Sequence, residues 1–219
     1  MRTIFQRKNA KIAKGAIGFV ALVLLATTGL AQKSATAESI AATGTFSGQE
    51  YSNAALGFSM LAPGGWSFYS SEQNQAAVAR NRQNAAQIKD AKLETSAANT
   101  QVLFQAVPPK FGGQDKQAIL SAGVERLTAP MTTATYAANQ KSVVVASTDA
   151  HVTKDISTIT VGGVAFATFD VEGTWKDGAY RQRYLITVRR GNAVFIVASF
   201  FDDRQAAIVD ASLKSIKFK

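Results

Sequence analysis

Cysteine is missing altogether from these 219 residues, histidine occurs once and proline four times. Without cysteine there is no disulfide, no thiolate nucleophile and no Cys/His zinc site, so ordinary side chains must hold the core together. The single imidazole, His151, sits in a polar stretch, STDAHVTKD. A Ser-His-Asp hydrolase would need it, but the G-x-S-x-G elbow that presents the nucleophile is absent. His151 therefore reads as an exposed loop or strand-end residue. The P-loop pattern and the alternating Asp/Asn calcium loop are missing too, so Gly112-Gly113 and Gly162-Gly163 mean turns. No catalytic, cofactor-binding or metal-ligating residue is assigned. The chain is read as a non-enzyme without a cofactor.

Acidic residues are absent from positions 1–37, which hold six basic ones: Arg2, Arg7, Lys8, Lys11, Lys14 and Lys33. The remaining 182 residues carry 18 basic against 15 acidic side chains. A body so close to neutral lacks the clustered Lys and Arg that displace counterions from phosphates, which argues against a nucleic-acid partner.

A basic start, an apolar run (AIGFVALVLLA, 16–26) and then small residues are the order of a secretory signal peptide. The run falls short of the ~20 residues that cross a bilayer. The expected cut follows Ala37, with Ala35 and Ala37 in the small-residue positions; Gly29 to Ala31 is the second choice. A retained leader would instead anchor the domain to the membrane. No twin arginine is present, so the chain is expected to be exported unfolded to the periplasm or beyond.

Residues 38–45 read as a flexible lead-in and 46–219 as one domain. Phe46 to Tyr51 and Phe58 to Leu61 are strand-like and joined by SNAALG; Pro63-Gly64-Gly65 then turns the chain into Trp66. Residues 71–94 lack Gly and Pro and are rich in Ala, Gln, Lys and Glu, which predicts a helix capped at Ser70 or Ser71. Its large apolar side chains are few, so it either lies across the surface or serves as an interface. A strand is expected at 99–107, a helix at 115–128 closed by Pro130, a strand at 142–148 and a final helix at 203–214.

Three strands are plain in the last third: 164–175, 179–190 and 193–201, with turns at Asp177-Gly178 and Gly191-Asn192. The expected pairing puts Glu172 opposite Arg183, Thr174 opposite Arg181 and Val171 opposite Tyr184, then Val188 opposite Phe195 and Ile186 opposite Val197. One face is then Phe169, Val171, Tyr184, Ile186, Val188, Phe195 and Val197. The other face of the last strand, Val194, Ile196, Ala198 and Phe200, is equally apolar, so both sides must be covered. The predicted architecture is α+β, an antiparallel sheet sandwiched between helices in three layers (α/β/α). Asp170 and Glu172 share a face with Arg181 and Arg183, which reads as an ion-pair ladder rather than a two-carboxylate active site. Trp66 and Trp175 read as core caps.

The order Tyr51-Ser52-Asn53, Gly57-Phe58-Ser59, Pro63-Gly64-Gly65-Trp66 resembles the opening of PsbP-like domains, a superfamily that includes the Mog-type Ran-binding proteins and exported bacterial members. Further segments follow the same order: Asn99 to Val102, Phe111-Gly112-Gly113, Val161-Gly162-Gly163, the hairpin from Tyr180 to Phe200, and Ser212 to Phe218. The helix at 71–94 departs from the pattern, and nothing matches the long tail with which plant PsbP docks. The resemblance implies an antiparallel sheet flanked by helices and a protein-binding role without catalysis. The expected function is thus an exported domain that binds a protein or envelope partner; the alternative is a periplasmic small-molecule or lipid-binding module with a pocket between sheet and helices.

Overall fold

The computed structural model describes residues 36–88, 91–109, 117–175 and 178–219. The chain runs α1 (Ala37–Ala41), β1 (Gly44–Ser47), β2 (Glu50–Asn53), β3 (Phe58–Leu61), β4 (Ser67–Phe68), α2 (Ser71–Ile88), α3 (Ala91–Asn99), β5 (Thr100–Val107) and β6 (Ile119–Arg126). It continues through α4 (Thr133–Ser147), β7 (His151–Val161), β8 (Val164–Trp175), β9 (Gly178–Arg189), β10 (Asn192–Phe200), α5 (Asp203–Leu213) and β11 (Lys217–Phe218). Seven strands form an antiparallel sheet in the order β4-β5-β6-β10-β9-β8-β7; β1-β2-β3-β11 form a smaller one.

The large sheet is apolar on both faces, as the last three strands predicted. Phe104, Leu120, Val124, Leu185, Ile196 and Phe200 pack with Tyr51, Phe58 and Met60 of the small sheet, Ile40 of α1 and Val209 of α5. The opposite face sets Phe169, Val171, Tyr184, Ile186 and Phe195 against Tyr136, Ala137 and Val144 of α4. Helices α2, α3 and α4 meet on this second side through Ala85, Ala97 and Val143. The architecture is α+β with a covered central sheet, and the small sheet shares one outer layer with α1 and α5. Burying a large apolar side chain is worth about 1.5–3 kcal/mol, so these two layers supply most of the stability that no disulfide can.

Several sequence expectations need correction. Of the helix expected at 115–128, residues 115–116 lie outside the described residues and 119–126 form strand β6. A central strand covered on both faces carries apolar residues at consecutive positions, and in Ile119, Leu120, Val124 and Leu127 that run mimics helical spacing. The strand expected at 142–148 is the end of α4, which Thr132 caps by accepting a hydrogen bond from Thr135 N. Tyr136, Ala137, Gln140 and Val144 are its buried stripe. The helix expected at 71–94 is two helices, with 89–90 outside the described residues. Phe46 to Tyr51 is itself a hairpin, β1 pairing with β2 around Gly48 at φ 57°.

The stretch expected as a lead-in carries α1 and the start of β1. Thr36 caps α1 by accepting from Ser39 N, and Ala37 and Ile40 are only 5% and 3% exposed. Asn53 Nδ2 donates to Ile40 O at 2.8 Å, which ties α1 to β2.

The registers of both C-terminal hairpins differ from expectation by two residues. Asp170 faces Arg183, Glu172 faces Arg181 and Phe169 faces Tyr184; Ala193 faces Val188 and Phe195 faces Ile186. The second turn is Arg190-Gly191, at φ 50° and 72°, rather than Gly191-Asn192. A slip of two leaves every side chain on its own face, so the core layer survives the error.

Candidate functional site

The face that carries α2, α3 and α4 concentrates the polar chemistry of the molecule. Helix α2 starts at a reciprocal cap: Ser70 Oγ accepts from Gln73 N at 3.3 Å, and Gln73 Oε1 accepts from Ser70 N at 2.8 Å. Ser70 is thus the cap of the two serines expected. Arg82 of α2 donates to the last carbonyls of α3, Ala97 O and Ala98 O, both at 3.4 Å, where a cation also suits the helix dipole. Among the described side chains of α2, only Asn74 and Ala85 are buried. Asn74 Oδ1 is buried without a hydrogen-bond partner among the described residues.

Glu125 of β6 is the centre of a buried node. It is 4% exposed, and its Oε2 accepts from Tyr136 OH of α4 at 2.9 Å and Ser96 Oγ of α3 at 3.0 Å. One carboxylate therefore fastens two helices to the sheet. Burial pushes its carboxyl up to about 7, against the neighbouring hydroxyls that favour the anion. The fully buried Tyr136 hydroxyl is pushed upward as well, first by burial and then by the neighbouring carboxylate.

A second polar seam crosses the same face. Gln105 Nε2 donates to Ser121 Oγ at 3.4 Å, Gln182 Nε2 donates to Ser199 Oγ at 2.9 Å, and Tyr184 OH donates to Gln182 Oε1 at 2.8 Å. These groups answer one another, which is the condition for keeping polar atoms in an interior. Over β10, Phe195 fills the space: its ring lies on Gly123, where any Cβ would sit 2.0 Å from Cζ.

The residues weighed for chemistry lie elsewhere. His151 is exposed at the start of β7, opposite Glu172. Arg183 holds Asp170 through Nη2 at 3.0 Å and also pairs with Asp210 of α5, while Arg181 pairs with Asp203 at 2.8 Å. Both guanidiniums lie over Phe200. The carboxylates raise the Arg183 pKa further. Arg183 thus pairs across the hairpin with Asp170 rather than with the expected Glu172, and both arginines reach acidic residues of α5. Arg189 lies over Phe218 with its centre 4.7 Å from the ring. Trp66 is buried in the core; the side chain of Trp175 lies outside the described residues. Sequence reasoning missed Glu125, Tyr136 and Ser96. Its one available signal was a carboxylate at the end of the mainly apolar run ILSAGV, hidden by the helix assignment. Among the described residues, no group of three His, Asp or Glu side chains converges as a metal site would.

No protein-family model matches the sequence, and no curated protein matches it. Solved structures do. LpqN of Mycobacterium tuberculosis, involved in cell envelope biogenesis, is 12% identical with a TM-score of 0.50, over 74% of this chain and 83% of LpqN. The likeness is one of fold. The chain is also similar to cyanobacterial PsbP of Synechocystis, at 17% identity and a TM-score of 0.49, over 80% of this chain and 98% of that one. A third match is a Pseudomonas aeruginosa protein of unknown function described as a putative regulator, at 14% identity and a TM-score of 0.41, over 49% of this chain and 74% of that one.

Proposed function

We propose that this chain is an exported, non-enzymatic PsbP-like domain that binds another protein at the cell envelope, and that the pair α2–α3 is the surface it uses. The observation that carries this reading is the exposure of α2. Among the described side chains of its eighteen residues only Asn74 and Ala85 are buried, and Arg82 bonds to the end of α3. A helix so weakly committed to its own core is free to present its outer face to a partner. The envelope role described for LpqN agrees with this setting. The alternative of a small-molecule pocket under α4 has less room, because Tyr136, Phe169, Tyr184 and Phe195 occupy that space.

The leader belongs to the same proposal. It is removed upstream of Thr36, after Ala31, because Ala37 and Ile40 are core residues whose helix needs the Thr36 cap.

A photo-crosslinking residue at Ala79 or Gln83 of α2, with one at Arg204 of α5 as reference, tests the surface. The expected outcome is one envelope protein captured from both α2 positions and not from α5. Equal capture from α5, or none from α2, overturns the assignment.

A further inference from the structure

We propose that the outer edge of β7 pairs with the same edge of a second copy of this chain, antiparallel and two-fold about Ile159, so that the two seven-stranded sheets become continuous. β7 is an edge strand of the large sheet and is 11 residues long. The other edge, β4, has two residues. Long bare edges invite strand addition and are usually blunted. The first half of β7 is blunted: its register shifts between Val152 and Lys154 and again between Lys154 and Ser157, and Lys154 is exposed. The second half is not. From Ile156 to Val161 the sequence is ISTITV, uncharged and without Gly or Pro, and it pairs regularly with β8 from Ser157 onward.

The outward backbone groups of this half follow from the turn. Gly162-Gly163, at φ 57° and 76°, makes a two-residue hairpin turn, so the flanking Val161 and Val164 exchange both of their hydrogen bonds. Alternation then turns Ile159 and Ser157 toward β8 and leaves the N–H and C=O of Thr160 and Thr158 facing away from it. Among the described residues, nothing bonds to those four groups. Ile156 N is already satisfied by Asp155 Oδ1, at 2.6 Å.

Self-complementarity names the occupant. In an antiparallel pair of two such edges, one register engages all four outward-facing residues at once: Thr158 opposite Thr160 of the other copy, and the reverse. That register places Ile159 opposite itself and Val161 opposite Ser157. Ile159 and Val161 lie half-buried on the side of the small sheet, and a neighbouring strand would cover them further. Cross-strand Thr pairs and branched apolar pairs are favourable. No like charges oppose, because Asp155 falls opposite Gly163 and is held by Lys141 at 2.7 Å. This surface is separate from α2, so its failure would leave the envelope-partner reading standing.

The test uses the full chain, expressed with its own leader and purified as the cell delivers it. Analytical ultracentrifugation is expected to show a reversible dimer at micromolar concentration. Thr158→Pro removes an outward N–H without touching the ladder to β8 and is expected to weaken the dimer at least about tenfold. Ile159→Lys, which sets two ammonium groups face to face, is expected to do the same should the proline variant misfold. In a cysteine-free chain, Ile159→Cys is expected to give a disulfide dimer on mild oxidation, whereas Ser157→Cys, whose symmetry mate lies several residues away, is not. A monomer at every concentration, a dimer indifferent to both substitutions, or equal cross-linking from Ser157→Cys overturns the proposal.

Discussion

Tyr136 reaches from α4 to donate its hydroxyl to the buried carboxylate of Glu125, 2.9 Å away, and Ser96 of α3 donates to the same oxygen. The pairing makes stability depend on pH in a defined direction. The unfolded Glu carboxyl ionises near 4.5 and the folded one near 7, so the folded state holds a proton between those values that the unfolded state has lost. The stability this group allows is full below about pH 4.5, falls as pH rises toward 7 and then levels. The difference is on the order of 3 kcal/mol. In Glu125→Gln, the fall in urea midpoint between pH 5 and pH 8 is expected to shrink; an unchanged slope would mean that Glu125 does not titrate in this window.

Gly123 is where Phe195 lies against the backbone of β6. A Cβ there would meet the ring at 2.0 Å and Gln101 O at 3.0 Å. The ring is fully buried and cannot swing out. Gly123→Ala is expected to cost about 3 kcal/mol in chemical denaturation. Adding Phe195→Leu to it should cost less than the two single changes together, a coupling that a double-mutant cycle reads.

Arg183 bridges Asp170 of β8 and Asp210 of α5 from a half-buried position. Arg183→Met leaves Asp170 shielded and unpaired and is expected to destabilise by about 1–3 kcal/mol. Asp203 is 94% exposed, so Asp203→Asn should change the melting temperature little despite its bond to Arg181. Comparable losses from the two substitutions would contradict this ranking.

Arg190 holds φ 50° in the turn before Gly191. Asn tolerates that conformation better than Arg, and Asn-Gly is the favoured pair for such a hairpin. Arg190→Asn keeps the backbone carbonyl that accepts from Arg126 and Asn192. The expected gain is about 0.5 kcal/mol, seen as a raised thermal midpoint.

A chain that begins at Glu38 lacks the Thr36 cap and the buried Ala37, whereas one that begins at Gln32 keeps both. The shorter chain is expected to be less stable by about 1–2 kcal/mol in a side-by-side melt. Equal stability would place the true start of the fold after α1.

What the amino-acid sequence determined by itself is the facing of the C-terminal strands. Alternation in β8, β9 and β10 assigned each side chain to its face and required a cover on both sides. Tertiary structure decided the rest. The hairpin registers moved by two because a period of two is blind to that shift, and burial on both faces made β6 look helical. α4 hid its nature behind the β-branched run Val143 to Val145, which a helix accepts once Tyr136, Ala137 and Val144 find a sheet to cover. Glu125 became a central residue only when α3 and α4, distant from each other along the chain, each brought a hydroxyl to it. Such contacts depend on where segments meet, and no short window of sequence contains that.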